Sequence, residues 1–238
     1  MLDLADALTQ AGQTARATAL LKRAVQVAPA EPLLWYQLGI AQASAAAFEK
    51  AVALDPGFAD AWNLLGAARA EAGDMAGAEK AFRTALQYQP DLAEAQGNLA
   101  HLLVSRGSLP EAEYYFARAV RLKPGDVDNH INYAVTLAGL GKIEAAMEQA
   151  RAAVSADGSS PEAHNFLGTL LARTGQPAPA LKEFLEAVRL RPAFGLAHLN
   201  AAGVLIQQGN RAAAQNHLRQ ASQDPDPSIR QRAEQQLR

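Results

Sequence analysis

Apolar and small residues recur three and four positions apart along the chain, as at Leu64, Leu65 and Ala68 and again at Ala78, Ala81, Phe82 and Ala85. That spacing lines one face of an α-helix. The stripes are short and regularly punctuated. Gly73, Gly107, Gly141, Gly175 and Gly209 follow one another at 34 residues (107 − 73). Pro90 and Pro124 repeat the interval (124 − 90), Pro192 stands two intervals further on, and Gly158 fills the step between. Gly12 precedes Pro29 by 17 positions, as Gly73 precedes Pro90. Glycine suits the left-handed residue that ends a helix, and proline cannot continue one. Each period therefore holds two stops and two helices, which is one helical hairpin.

One set of residues returns in phase with this punctuation. The third period carries Trp62, Leu65, Gly66, Ala78, Phe82, Ala85 and Pro90, the fourth Leu99, Ala112, Phe116, Ala119 and Pro124, and the sixth Leu167, Gly168, Ala180, Phe184, Ala187 and Pro192. The set resembles the tetratricopeptide repeat (TPR) family, whose pattern is Trp, then Leu-Gly, then a later Ala, Phe, Ala and Pro. The fifth period is looser, with Tyr133, Ala146, Ala150 and Ala153, and the seventh has Ala214, Leu218 and Ala221 before Pro225, one residue early. The resemblance implies an all-α fold, a right-handed α-solenoid of tandem antiparallel helix hairpins. In that frame residues 1–238 form a single TPR array with repeats at 1–31, 32–58, 59–92, 93–126, 127–160, 161–194 and 195–228 and a capping helix at 229–238. Ala and Gly at the recurring sites allow two helix backbones to approach, and Phe or Leu fills the gap to the next repeat.

Two irregularities stand out. Met1 falls where the first repeat should have its Trp, so the chain is expected to start inside a helix that further repeats, a partner or a preceding segment covers. The second repeat is seven residues short, with Pro56 following Pro29 by 27 rather than 34 (56 − 29). Trp35, Leu38 and Gly39 fit its first helix and Phe48, Ala51 and Pro56 its second, so the deficit lies near Ser44 to Ala46, where the glycine turn belongs. A true deletion there is expected to fuse both helices into one rod, and a loop absent from the printed sequence is expected instead. Residues 224–238 read as a final helix opened by Asp226 or Ser228 and proline, with Ile229, Ala233 and Leu237 as a narrow apolar strip.

Composition sharpens the picture. Hydrophobic residues make up 49% of the chain but aromatics only 6%, so Ala, Leu and Val carry the apolar content, as suits closely packed helices. A formal net charge of −2 gives no field to draw the protein to nucleic acid or an anionic membrane. The absence of Cys excludes disulfides, thiolate metal sites and cysteine nucleophiles, without assigning a compartment. No apolar run reaches the length of a membrane helix, so no membrane insertion is expected. The start, Met1-Leu-Asp-Leu-Ala-Asp, lacks the basic residues and apolar stretch of a secretion signal. Neither a glycine-rich phosphate loop nor a Gly-x-Ser-x-Gly elbow occurs, so no catalytic residue and no cofactor is expected.

In TPR arrays the first helices line a groove that commonly receives an extended peptide or a partner helix, and the resemblance directs attention there. Gln37, Asn98, Asn132 and Asn200 stand one residue before the Leu position, with Asn63 and Asn165 one place earlier. An amide both donates and accepts, so spaced Asn side chains can pair with a peptide backbone. The series resembles the asparagine ladder of the O-linked N-acetylglucosamine transferases, interrupted by Leu64 and Phe166. The alternative for each is an Asn on an exposed helix face, which is favoured for Asn63 and Asn165. Asp60, Glu94, Asp128 and Glu162 also keep the 34-residue spacing, chiefly as favourable charge at helix N-termini, and they disfavour the carboxylate clamp of chaperone-binding TPR domains. His130, His164 and His198 occupy the Trp position, where packing rather than metal binding is expected. His101 is the one histidine on the groove side. Glu79, Lys80, Arg83, Lys182, Glu183 and Glu186 read as a solvated outer face, and Tyr114 and Tyr115 as packing or a lateral contact.

The expected function is a protein-protein interaction scaffold that holds a peptide or partner protein in the groove. Two alternatives are a structural subunit of a larger assembly, with self-assembly through repeat ends, and the TPR portion of a larger enzyme such as a glycosyltransferase.

Overall fold

Most first helices of the hairpins stop at a left-handed glycine. The computed structural model describes residues 4–5, 7–8 and 11–237, and the expected helical start at Met1 lies outside them. Two compact units divide the chain, Met1–Leu122 and Lys123–Arg238. The first contains α1 (Thr14–Val27), α2 (Pro32–Gln42), α3 (Ala45–Leu54), α4 (Ala59–Glu71), α5 (Met75–Tyr88), α6 (Ala93–Ser105) and α7 (Leu109–Leu122). The second contains α8 (Val127–Gly139), α9 (Ile143–Ala156), α10 (Pro161–Arg173), α11 (Pro177–Leu190), α12 (Gly195–Gln207), α13 (Arg211–Ala221) and α14 (Pro227–Leu237). No strand occurs among the described residues. Each of α2/α3, α4/α5, α6/α7, α8/α9, α10/α11 and α12/α13 packs as a hairpin.

The α4/α5 turn shows how a hairpin closes. Gly73 adopts φ 83°, the left-handed region that costs a residue without Cβ little. The Asp74 amide then donates to Arg69 O at 2.9 Å, and the Asp74 carboxylate accepts from Gly77 N at 2.9 Å, ending one helix and capping the next.

The short second repeat closes without the expected loop, and its helices do not fuse. Ala43 takes the glycine's place at φ 49°, and Ser44 N donates to Gly39 O at 3.0 Å. Relative to α4/α5, the first helix has 11 residues instead of 13 and the second 10 instead of 14. The turn loses one more, so trimmed helix ends and a tighter turn absorb all seven missing residues.

Within each hairpin the Phe of the second helix lies under a small residue of the first. A Cβ built on Gly66 would stand 2.6 Å from Phe82 Cδ1, and one on Gly168 would stand 2.7 Å from Phe184 Cε1. Real carbon contacts settle near 3.5–4.0 Å, so these helices approach at a distance only glycine permits. The alanines flanking Phe82 on α5, Ala78, Ala81 and Ala85, are fully buried. In the second unit α14 lays Ala233 into the core formed with Leu199, Leu205 and Leu218, with Ile229 and Leu237 partly buried beside it. Asp226 opens that helix by accepting from Ser228 N at 2.8 Å.

A second recurring device ties each hairpin to the turn before it. The side chain at the Trp position meets the carbonyl six residues earlier: Trp35 Nε1 donates to Pro29 O (2.8 Å), Trp62 Nε1 to Pro56 O (2.9 Å) and Gln96 Nε2 to Pro90 O (2.7 Å). The Nε2 atoms of His130, His164 and His198 reach Pro124 O, Gly158 O and Pro192 O at 3.0, 3.2 and 3.0 Å.

Candidate functional site

The three imidazoles are committed on their other side as well. Nδ1 of His130, His164 and His198 meets Gln149 Oε1 (2.9 Å), Glu183 Oε2 (2.6 Å) and His217 Nδ1 (2.8 Å), each 19 residues further on. All three rings are buried, so they act as struts inside their own hairpins. Both nitrogens of His164 thus have an oxygen within hydrogen-bond distance, one from a carboxylate and one from a carbonyl. Glu183 is therefore more than a solvated charge. In the His198–His217 contact one nitrogen has to remain unprotonated, and burial together with His198 lowers the pKa of His217.

The seven groove candidates differ in their surroundings. Asn63 on α4 and Asn165 on α10 are buried, and their Oδ1 atoms accept from Nδ2 of Asn98 on α6 and Asn200 on α12, each at 2.9 Å. These pairs link the first helices of consecutive hairpins, so Asn63 and Asn165 position Asn98 and Asn200. Asn132 on α8 and Gln37 on α2 are half-buried. Asn98 and the exposed His101, one helical turn apart on α6, lie together on the wall of a concavity of about 420 Å³.

That concavity is mainly apolar, with Phe82, Leu102, Ala67 and Met75 among its lining residues. A second one, of about 230 Å³, is lined by Gly39, Ile40, Phe48 and Leu64. The two share Ala67 and Glu71 and follow one another along the first helices of the first unit. Ile40 and Met75 expose 44% and 43% of their surface here, which a partner could cover. Sequence reasoning missed this pair of hollows, and Phe48 and Phe82, which each line one of them, had no signal beyond their place in the repeat. The larger hollow on the second helices, about 460 Å³, is lined by Lys80 and by Glu79, Arg83 and Arg106, of which the last three are joined in ion pairs. Arg83 there donates to Glu79 (2.9 Å), Glu111 (2.6 Å) and Tyr115 Oη (3.1 Å), and Arg106 pairs with Glu79. Tyr115 thus packs toward α5, while Tyr114 stays exposed with its ring edge on Tyr115.

Family profiles described as Tetratricopeptide repeat match residues 1–41, 41–87, 72–127 and 103–173. The chain belongs to the tetratricopeptide repeat family. Among solved structures this TPR chain is similar to YrrB, described as a TPR protein with an unusual peptide-binding site, at TM-score 0.66 and 23% identity over 81% of this chain and 100% of that one. It is similar to MamA at 0.62 and 17% over 68% and 88%, and to the APC/C hetero-tetramer Cut9-Hcn1 at 0.75 and 17% over 98% and 48%. These likenesses carry the fold, an α-solenoid of helical hairpins. No curated protein sequence matches the TPR chain. No helix among its described residues is long and apolar enough to cross a membrane.

Proposed function

We propose that the chain is an interaction scaffold whose first unit holds an extended segment of a partner protein along α2, α4 and α6. The observation that carries this is the pair of consecutive apolar hollows sharing Ala67 and Glu71, with Asn98 and His101 on the wall. Asn98 gives its amide hydrogen to Asn63 and so presents Oδ1 as an acceptor for a peptide N–H. Apolar side chains of the segment fill the hollows, and backbone contacts to Asn98 hold its register. Asn200 has the same tie to Asn165 and offers a like acceptor in the second unit. The peptide-binding site named for YrrB, which shares the fold, supports the same use of the repeat.

Affinity purification with the native chain and with Ala67→Trp, which fills both hollows, tests the proposal. A partner retained by the native chain and lost with Ala67→Trp is then mapped to a short segment, whose binding is measured by calorimetry. Loss of affinity with Asn98→Ala at unchanged helicity is the expected result. Partners held equally by native, Ala67→Trp and Asn98→Ala chains would remove the groove from consideration.

A further inference from the structure

Resting on the groove reading above, we infer that the segment is cationic: an extended peptide with two apolar side chains for the two hollows and Lys or Arg beside them. Across α2, α4 and α6 the sole Lys or Arg is Arg69. Its guanidinium is taken up on the second-helix side, by Glu49 Oε1 at 2.9 Å and Gly77 O at 3.4 Å. The same helices carry Asp60 and Glu94 in their first turns and Glu71 at the end of α4. Glu71 lines both hollows, and neither it nor Asp60 has a cation paired with it among the described residues. Tyr36 on α2 registers the field: burial raises its pKa first, and the charges of Asp60 and Glu94 raise it further. Both carboxylates thus lie near enough to Tyr36 for their charge to bear on it.

A negative first turn is common to the repeat, and its compensation varies: Asp128, like Asp60, has no cation paired with it among the described residues. In the second unit Glu162 stands at the same repeat position and is paired with Arg191. In the first unit Asp60 and Glu71 are left for a ligand to neutralise, and an anionic segment would meet carboxylates with no countercharge in reach. Geometry adds a spacing. Consecutive hairpins bring their first helices roughly 10 Å apart, and a polyproline-II segment rises about 9 Å in its three-residue turn, so side chains i and i+3 reach neighbouring hollows from one face.

The test is a selection of random dodecapeptides displayed on phage, with the full chain immobilised. Recovered peptides are synthesised with a fluorescein label and titrated by anisotropy against the native chain, Ala67→Trp, Ala70→Trp and the double variant Asp60→Asn/Glu71→Gln, each confirmed as folded by circular dichroism. The expected peptides are lost with either Trp variant, carry an apolar pair three apart and are enriched in Lys and Arg. Their Kd weakens about tenfold in the double variant at low salt, and the difference shrinks as salt screens the carboxylates. Peptides that are blocked by Trp but show no basic enrichment, or bind the double variant equally well, overturn the charge inference and leave the groove standing. Peptides indifferent to both Trp variants, or no selection above the level of Ala67→Trp, overturn the groove and the inference together.

Discussion

Replacing Gly66 by Ala adds one methyl group where Phe82 already stands. The new Cβ would lie 2.6 Å from Cδ1 and Cε1 of the ring and 3.0 Å from Cζ. Carbon contacts settle near 3.5–4.0 Å, so the ring has to withdraw by about 1 Å. It is 2% exposed and the alanines beside it on α5 are fully buried, leaving the apolar hollow as its only relief. Overpacking of this kind costs roughly 1–3 kcal/mol, offset by about 1 kcal/mol because Ala favours helix over Gly. A net loss of about 1 kcal/mol is expected. Both tryptophans of the chain, Trp35 and Trp62, lie in the first unit, so their fluorescence during urea unfolding reports on that unit alone. The midpoint should fall at unchanged slope, and Phe82→Leu in the Gly66→Ala background should recover part of the loss. Ala100, the residue one period after Gly66, supplies the control: Ala100→Gly loses helix propensity and relieves no ring. The sign decides the matter, since a midpoint that rises with Gly66→Ala would mean that the ring contact does not limit the approach of α4 and α5.

Three further outcomes are expected. Ala43→Gly relieves a left-handed alanine and should stabilise the first unit by about 1 kcal/mol in the same fluorescence assay; a lower midpoint would contradict the strain argument. Asn63→Ala leaves Asn98 Nδ2 without its acceptor at a cost of about 1–2 kcal/mol, and the Asn63→Ala/Asn98→Ala pair should cost less than the two single losses combined; strict additivity would deny the coupling. His217 has its pKa lowered by burial and by His198, so its neutral form belongs to the folded state. Its contribution is whole above the ordinary value near 6.5 and is lost as pH falls through the lower folded value, because the unfolded chain there binds more protons. Thermal midpoints of the native chain should drop relative to His217→Gln between about pH 7 and 5, and parallel curves would count against it.

Where the sequence could be read and where it could not follows from the range of the forces involved. Hairpin stops at Gly73 or Pro90 are local chemistry and were legible, as was the packing role of His130, His164 and His198. Their strut partners at Gln149, Glu183 and His217 were not, since only the crossing of two helices brings position 19 opposite position zero. Asn63 and Asn98 look like separate members of a ladder along the chain, yet they join at an offset of 35 rather than 34, which the stagger between neighbouring first helices decides. The tight turn at Ala43 escaped prediction because glycine is the ordinary tenant of left-handed backbone and alanine only the exception. The hollows lined by Phe48 and Phe82 depend on how neighbouring first helices sit beside one another, a matter of packing rather than of spacing.

The bond from each hairpin back to the carbonyl six residues before it asks for a single N–H at a given reach, and indole, carboxamide and imidazole all meet that requirement here. The seam is thus specified by function and not by residue name. A builder wishing to insert or excise one hairpin can keep whichever donor is at hand, and would find the seam loosened only by a side chain, such as Phe or Leu, that offers the carbonyl nothing.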